Sequence, residues 1–576
     1  VKTKRIIGVC LLVAGAVVLL LVQRRLVTTR LTPDPLFYLV ADTERELERM
    51  PLALTRVSEQ EENRIGEELA RSYGLAPARG DREAQQIAEY VQQVGQRLAA
   101  RVKRKGIRYR FFFRNDRDFV NAGALPGGQI VIGRGLLALC ETEDELASIL
   151  GHEIAHVDER HAIERLQYEL KSKELGVRGL YRLVQLGVIL YQAGYTKEKE
   201  AEADRAGLAL VVEAGYSPQG ALDVLRRFER LYSRPERVAT SPVEEILQLP
   251  GRSLGAYFRS HPPPHERITT FEKEISARGW NAQQAQKPLA VRPIFLIEQA
   301  QRFDDRGLYD RAAEVYRKVL AQNPKQAQAW SGLARTLWRS GDAAGTVVSA
   351  ERFLRLEPND ADVWWFFARA LAVLDRRTAA SQFGEMLAGV QITNAASERR
   401  ALVDSYGLQW LAGDERHSFQ NYQALFATDL GAEERAVLRA RMAKWMYRAG
   451  KLERALHELD AARQTYPQGA FIYLHRAWLQ SEMGLQADAL ASLNRSKSDS
   501  VTDSDLAVES LILWRTGKTD EAKNTFRAAV EKDPVWLQAR WVEFNFNRPT
   551  ADILHKLQDA EQARRKLEAI RAGRKP

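Results

Sequence analysis

The chain has 576 residues, too many for one compact domain, so two or more are expected. Its 45% hydrophobic and 28% charged residues are those of a globular rather than a disordered chain and allow a buried core. The net charge of +10 admits an acidic partner, whereas the two cysteines, Cys10 and Cys140, exclude a disulfide framework in the soluble part and a cysteine-built zinc site. Any metal must then be held by histidine and carboxylate.

Lys2, Lys4 and Arg5 precede an apolar run from Ile6 to Val22 that Arg24 and Arg25 close. As a helix this run reaches about 25 Å, enough to span a bilayer with snorkelling arginines. A cleaved signal peptide is the rival. Cleavage after Ala14-Gly15-Ala16 would leave an apolar new terminus, so the expectation is one uncleaved membrane anchor within residues 1–30. Positive charge on both flanks leaves its orientation open.

Glu61 to Gly74 and Asp81 to Val102 read as helices, the second with Ile87, Tyr90, Val91, Val94 and Leu98 along one face. Arg108 to Arg114 and Gly128 to Ile132 read as strands, separated by turn-rich Asn121-Ala-Gly-Ala-Leu-Pro-Gly-Gly128. The basic residues around Phe111 to Phe113 could suggest nucleic acid. No accompanying motif supports that, and a strand edged by solvated arginines is expected, with no nucleic-acid partner. A helix opens at Thr142, where Thr142 and Glu145 make a capping-box pattern, and runs through His156. Leu175 to Gly194 is interrupted by Arg178 and Arg182 and reads as a buried or lid-like helix rather than a second span. Lys197 to Ala214 reads as a helix stopped by Gly215, and Pro218 starts the next. Tyr232 to Ser260 reads as an irregular loop and Asn281 to Ala290 as a linker.

Beyond the linker the chain repeats. Gly307 and Pro324 recur as Gly341 and Pro358, and Trp330 as Trp364, all shifted by 34 residues. Gly450 and Ala455 recur as Gly484 and Ala489, and Gly517, Ala522 and Pro534 follow. This resembles the tetratricopeptide repeat, degenerate between about Asp375 and Arg435. Such helix pairs cannot bury their apolar faces alone and stack into a solenoid.

His152-Glu153-Ile-Ala-His156 sets two imidazoles four apart on one helical face, where both can reach one zinc ion. Glu153 then lies beside the metal, placed to take a proton from bound water. With nine histidines in the chain, chance would produce this motif in about one such sequence per hundred. A third histidine ten residues after the first is absent, because position 162 is Ala162 and His161 falls one residue early. The remaining option is a carboxylate from a later helix, supplied by Glu200-Ala-Glu-Ala-Asp204. Glu200 and Asp204 share a face, one to bind metal and the other to orient a ligand, and Glu202 rivals Glu200.

His152 to His161, Glu200 to Gly207 and Asn121 to Leu137 resemble the HtpX-like and CAAX-prenyl-protease-like gluzincin metallopeptidases. With the repeats added, the chain is similar to the bacterial periplasmic BepA-like proteases, which assist outer-membrane β-barrel assembly. The resemblance implies one Zn2+ on His152, His156 and Glu200, with Glu153 as general base and acid. It also implies that Asn121 to Ile132, including Gly127, Gly128 and Ile130, forms an edge strand against which substrate lies. Gly123 replaces the family's usual bulky residue. His261-Pro-Pro-Pro-His265-Glu-Arg267-Ile268 resembles the family's His-Pro-x-x-x-x-Arg-Ile element. His261 is thereby a candidate regulatory ligand, or else a surface histidine before a polyproline kink, and Arg267 a candidate for orienting substrate or a carboxylate.

The expected fold is mainly α with a small β-sheet (α+β) in a metalloprotease domain at 55–280, then an all-α solenoid at 291–560, behind one N-terminal transmembrane helix. The expected function is a zinc endopeptidase of envelope protein quality control, anchored in the bacterial inner membrane with its soluble part in the periplasm. Its partners would be unfolded or misassembled envelope proteins and, through the repeats, membrane-protein assembly machinery. The alternative is a repeat-based chaperone or scaffold with latent protease activity.

Overall fold

The computed structural model describes residues 57–172, 195–232 and 254–571, except 256, 259, 498 and 499. The expected anchor, the Leu175 to Gly194 helix and most of the Tyr232 to Ser260 loop lie outside the described residues. Among the described residues, no helix is long and apolar enough to cross a membrane. The chain divides into two compact units, with the division after Ala290.

In the first unit, the helix Arg82–Ala99 is capped by Asp81 and buries Ile87, Val91, Val94 and Leu98 completely. The three strands are β1 (Arg110–Arg114), β2 (Ala122–Leu125) and β3 (Gln129–Gly133), in the order β1-β3-β2. β3 is central, parallel to β1 and antiparallel to β2. Phe111 and Phe113 turn inward from β1 while Arg110 and Arg114 stay exposed, the alternation of a strand with one buried face. β2 was hidden in the turn-rich stretch, which holds four strand residues before its Pro-Gly-Gly turn.

The helix Glu143–Asp158 carries the histidine motif. Thr142 caps it by accepting from the Glu145 amide, yet the box is not closed. The Glu145 carboxylate instead accepts from the Glu141 amide and pairs with Arg227. That buried ion pair ties the helix start to the helix Gln219–Tyr232.

The second unit is a run of helix pairs from Arg292–Asp305 with Tyr309–Gln322 to Asp503–Arg515 with Thr519–Lys532. Gly307, Gly341, Gly450, Gly484 and Gly517 all adopt positive φ at the turns inside these pairs, which explains their shared period. The degenerate region keeps the pairing by other means. Asp375 takes the turn position with extended backbone and its carboxylate accepts from Arg377 N and Thr378 Oγ1.

Candidate metal centre

Two helices build the centre by backbone approach. A Cβ on Gly207 would lie 2.9 Å from the carbonyl of Gly151 and from the Cα of His152. The absence of side chains at Gly151 and Gly207 lets the helix Lys197–Glu213 press onto the motif helix, bringing Glu200 over the two histidines. A Gly207→Val variant is expected to lose about 1–3 kcal/mol of stability from overpacking and most of its zinc. Thermal unfolding with metal analysis checks this; full zinc content with an unchanged Tm would refute the close-approach account.

His152 Nε2 and His156 Nε2 are 3.2 Å apart. Glu200 brings Oε2 to 3.4 Å from the first and Oε1 to 3.5 Å from the second. His261 joins them, its Nδ1 being 3.2 Å from both His152 Nε2 and Glu200 Oε2. Zinc bonds of about 2.0–2.1 Å at tetrahedral angles require ligand atoms about 3.3 Å apart. The four groups are buried, and their ligand atoms all lie within 4.8 Å of one another. Glu200 Oε1 and Glu153 Oε1 are buried without a hydrogen-bond partner, which leaves the cluster with acceptor capacity that a cation would use. The donor set of imidazole and carboxylate fits zinc.

The outer contacts fix the tautomers. Asp204 Oδ1 lies 2.9 Å from His152 Nδ1, which donates to it and leaves Nε2 free for a metal. Arg267 holds Asp204 in turn, at 2.6 Å from Nη2 and 3.1 Å from Nε to Oδ1, and reaches the Tyr257 hydroxyl at 3.3 Å. His156 Nδ1 faces His161 Nδ1 at 3.2 Å, and His161 Nε2 faces Glu202 Oε2 at 3.2 Å. A relay of two donated protons, from His156 to His161 and from His161 to Glu202, leaves His156 Nε2 free as well. The rival carboxylate Glu202 thus points to His161, with its side chain 53% exposed, while Glu200 faces the histidine pair.

Burial pushes the Glu153 carboxyl up, against the pull of His261 and His152. Burial also acts on Glu200, but His261, His152 and His156 outweigh it and hold its carboxyl well below the usual range.

His261 is buried rather than a surface residue, and its Nε2 lies 3.6 Å from Glu153 Oε1. Pro263 and Pro264 begin the helix Pro264–Arg278, which carries Arg267 to Asp204. Tyr195, stacked on His156 with ring centroids 3.9 Å apart, had no sequence signal beyond its nearness to Glu200.

The strand residues are placed differently from the expectation. Ile130 sits in central β3, paired on both sides and fully buried, so it has no edge to offer a substrate. Gly127 and Gly128 are pressed against other backbone: a Cβ would lie 2.5 Å from Glu62 O at Gly127 and 3.0 Å from Tyr109 Cα at Gly128. Asn121 is buried, accepting from its neighbour's amide. The strand edge beside the motif helix belongs to β2, with no described strand on its outer side.

The fold brings two histidines from one helix and a glutamate from a later helix together, the arrangement of a gluzincin-type metallopeptidase centre. Residues 85–275 match the model of peptidase family M48, and residues 297–345 match a tetratricopeptide repeat model. The chain therefore carries an M48 zinc peptidase domain followed by tetratricopeptide repeats. A beta-barrel assembly-enhancing protease of Yersinia pestis is 27% identical over 208 residues, covering 32% of this chain and 43% of that one. The Escherichia coli K12 protein of the same name is 29% identical over 180 residues, covering 28% and 37%. The mitochondrial metalloendopeptidase OMA1 of Arabidopsis thaliana is 31% identical over 154 residues, covering 26% and 28%. The matches thus span less than half the length of these relatives.

Proposed function

We propose that this chain is a zinc-dependent endopeptidase of cell-envelope protein quality control that cleaves misfolded or stalled proteins, with its repeats recruiting clients or partners. The observation that carries this reading is the convergence of His152, His156 and Glu200, with ligand atoms 3.2–3.5 Å apart, together with the buried Glu153, whose Oε1 has no hydrogen-bond partner. When bound, zinc polarises the scissile carbonyl and the attacking water. Glu153 takes the proton from that water and delivers it to the leaving amine, a role suited to a carboxyl raised by burial. Asp204 and Arg267 keep His152 in one tautomer and orientation. Substrate main chain would add to the outer edge of β2. The envelope setting draws on the names of the bacterial relatives and on the apolar run Ile6 to Val22, which would anchor the chain in the inner membrane with its soluble part in the periplasm. Incubating the purified chain with an unfolded protein, with zinc and after chelation, tests the activity. Equal cleavage in both would sink it.

One observation favours a latent enzyme, and with it a chaperone or scaffold role for the repeats. His261 Nδ1 lies 3.2 Å from His152 Nε2 and from Glu200 Oε2, so it would serve as a fourth ligand in place of a water, and its Nε2 lies 3.6 Å from Glu153 Oε1. His261→Ala is expected to raise the cleavage rate of an unfolded substrate roughly tenfold by releasing the closed state, with zinc retained. A variant with full zinc and unchanged or lower activity would rule out the closing role.

A further inference from the structure

The edge of β2 lies beside the motif helix; the opposite edge of the sheet belongs to β1, which has no described strand on its outer side. Two glutamines of the helix Arg82–Ala99 serve the start of that edge. Gln96 Nε2 donates to Tyr109 O at 2.9 Å, and Gln92 Oε1 accepts from Phe111 N at 3.0 Å. A donor at one residue and an acceptor two residues on are what a neighbouring strand would supply. The pairing stops there. By the two-residue alternation, the Phe111 carbonyl and the Phe113 N–H face the same side, and no described group on that side pairs with either.

A groove of about 770 Å³ opens along this free stretch, lined by β1, the end of the helix Glu59–Ser72 and the helix Arg82–Ala99. Ala70, Leu75, Ala88 and Phe112 give it apolar walls. Gln129 supplies a second observation. It lines the groove at only 1% exposure, and its Nε2 is committed to Gly127 O at 2.9 Å. Its Oε1 is buried and has no hydrogen-bond partner among the described residues. A buried acceptor left unmet is costly, so the groove lacks a donor. Its charges are balanced, Arg71 and Arg110 against Glu67 and Glu89, with Arg110 Nη2 3.5 Å from Glu67 Oε1. It therefore has no excess charge with which to select an anion or a cation.

We propose that the outer edge of β1 is a second peptide site, which takes an uncharged, extended apolar segment of an unfolded protein as an added strand. The segment's main chain pairs with the Phe111 carbonyl and the Phe113 N–H, its apolar side chains enter the groove, and one of its donors meets Gln129 Oε1. A polynucleotide does not fit, because it needs unpaired cations. A small molecule would fill the volume without answering main-chain groups at strand spacing. The identity of the partner rests on the client reading above, whereas the site is independent of the metal centre. Two edges of one sheet then hold two stretches of one client, and each grip raises the effective concentration of the client at the other.

The test uses the full chain as its Glu153→Gln variant, so that no cleavage is read and failure leaves the peptidase reading untouched. The probe is an end-blocked octapeptide of alternating Leu and Ser, carrying fluorescein and one photoreactive diazirine leucine. By anisotropy it is expected to bind about tenfold tighter than the same peptide with Glu in place of Leu. Of its two forms N-methylated at alternate residues, one should bind about tenfold more weakly and the other unchanged, because an added strand turns every second amide to its neighbour. Ala88→Trp, which fills the groove, should weaken binding about tenfold. Gln86→Trp, at an exposed position of the same helix outside the groove, should leave it unchanged. Photocrosslinks should fall on the groove, at Ala70, Leu75, Ala88 or Phe112. Absence of binding overturns the proposal and would mean that the groove is filled by the chain itself or by a second copy. Equal binding of the two methylated forms, an unchanged Ala88→Trp with native circular dichroism, or crosslinks confined to Ala122–Leu125 overturn it as well.

Discussion

Glu153→Gln is expected to keep one zinc per chain and to cut kcat on an unfolded protein by about 10²–10⁴-fold, the usual share of general acid–base catalysis. The substitution preserves shape and volume in a side chain that is only 1% exposed, so packing of the motif helix should survive. It removes one property, the capacity to accept a proton. Glu153 Oε1 has no hydrogen-bond partner among the described residues, so no hydrogen bond to that atom is lost. His261 Nε2 lies 3.6 Å from that oxygen, and His152 and Arg267 also favour the carboxylate's charge. Zinc content by atomic emission and cleavage by gel densitometry, on the same preparation, separate the two roles. Activity within threefold of wild type would remove Glu153 from the mechanism. Loss of zinc together with activity would mean that it is a structural support of the centre instead.

The parts of this centre differ in how openly the sequence shows them, for physical reasons. The spacing of His152 and His156 follows from the helical repeat, so two ligands and the base can be read from five consecutive residues. Glu200 and Asp204 can be read as a pair on one face, but choosing Glu200 over Glu202 depends on where His161 points. That is a tertiary fact: His161, excluded as a ligand by its position, becomes the partner that draws Glu202 away. The small sheet was harder still. β2 is four residues long and rich in glycine and alanine, so it carries neither alternation nor β-branched side chains, and its turn-like composition masked it. Without β2 the buried strand β3 passes for an edge, so the substrate contact expected at Ile130 falls on a strand paired on both sides. In the solenoid, glycine in the left-handed turn conformation writes the period into the sequence, whereas the turn at Asp375 uses side-chain capping and leaves no periodic mark.

The identity of the third ligand sets the other large effect. Glu200→Gln is expected to weaken zinc binding by more than about 100-fold, because even partners that only orient a ligand cost about 10–100-fold when removed. Glu200 is 1% exposed and reaches toward both Nε2 atoms, at 3.4 and 3.5 Å, so its amide counterpart would present a neutral, weakly coordinating oxygen to a buried cation. Glu202→Gln should cost about tenfold or less, since it loosens His161 and only through it the orientation of His156. Competition with a chelator of known affinity, followed by metal analysis of the recovered protein, ranks the two variants. The reverse order would move the metal ligand to Glu202 and require the helix Lys197–Glu213 to turn by about 160–200°, the separation of residues two apart on a helix of 3.6 residues per turn. That turn would carry Asp204 away from His152 and Arg267, so Asp204→Asn provides the cross-check. In the arrangement described, it should weaken zinc binding by about 10–100-fold; in the rotated one it should have no effect.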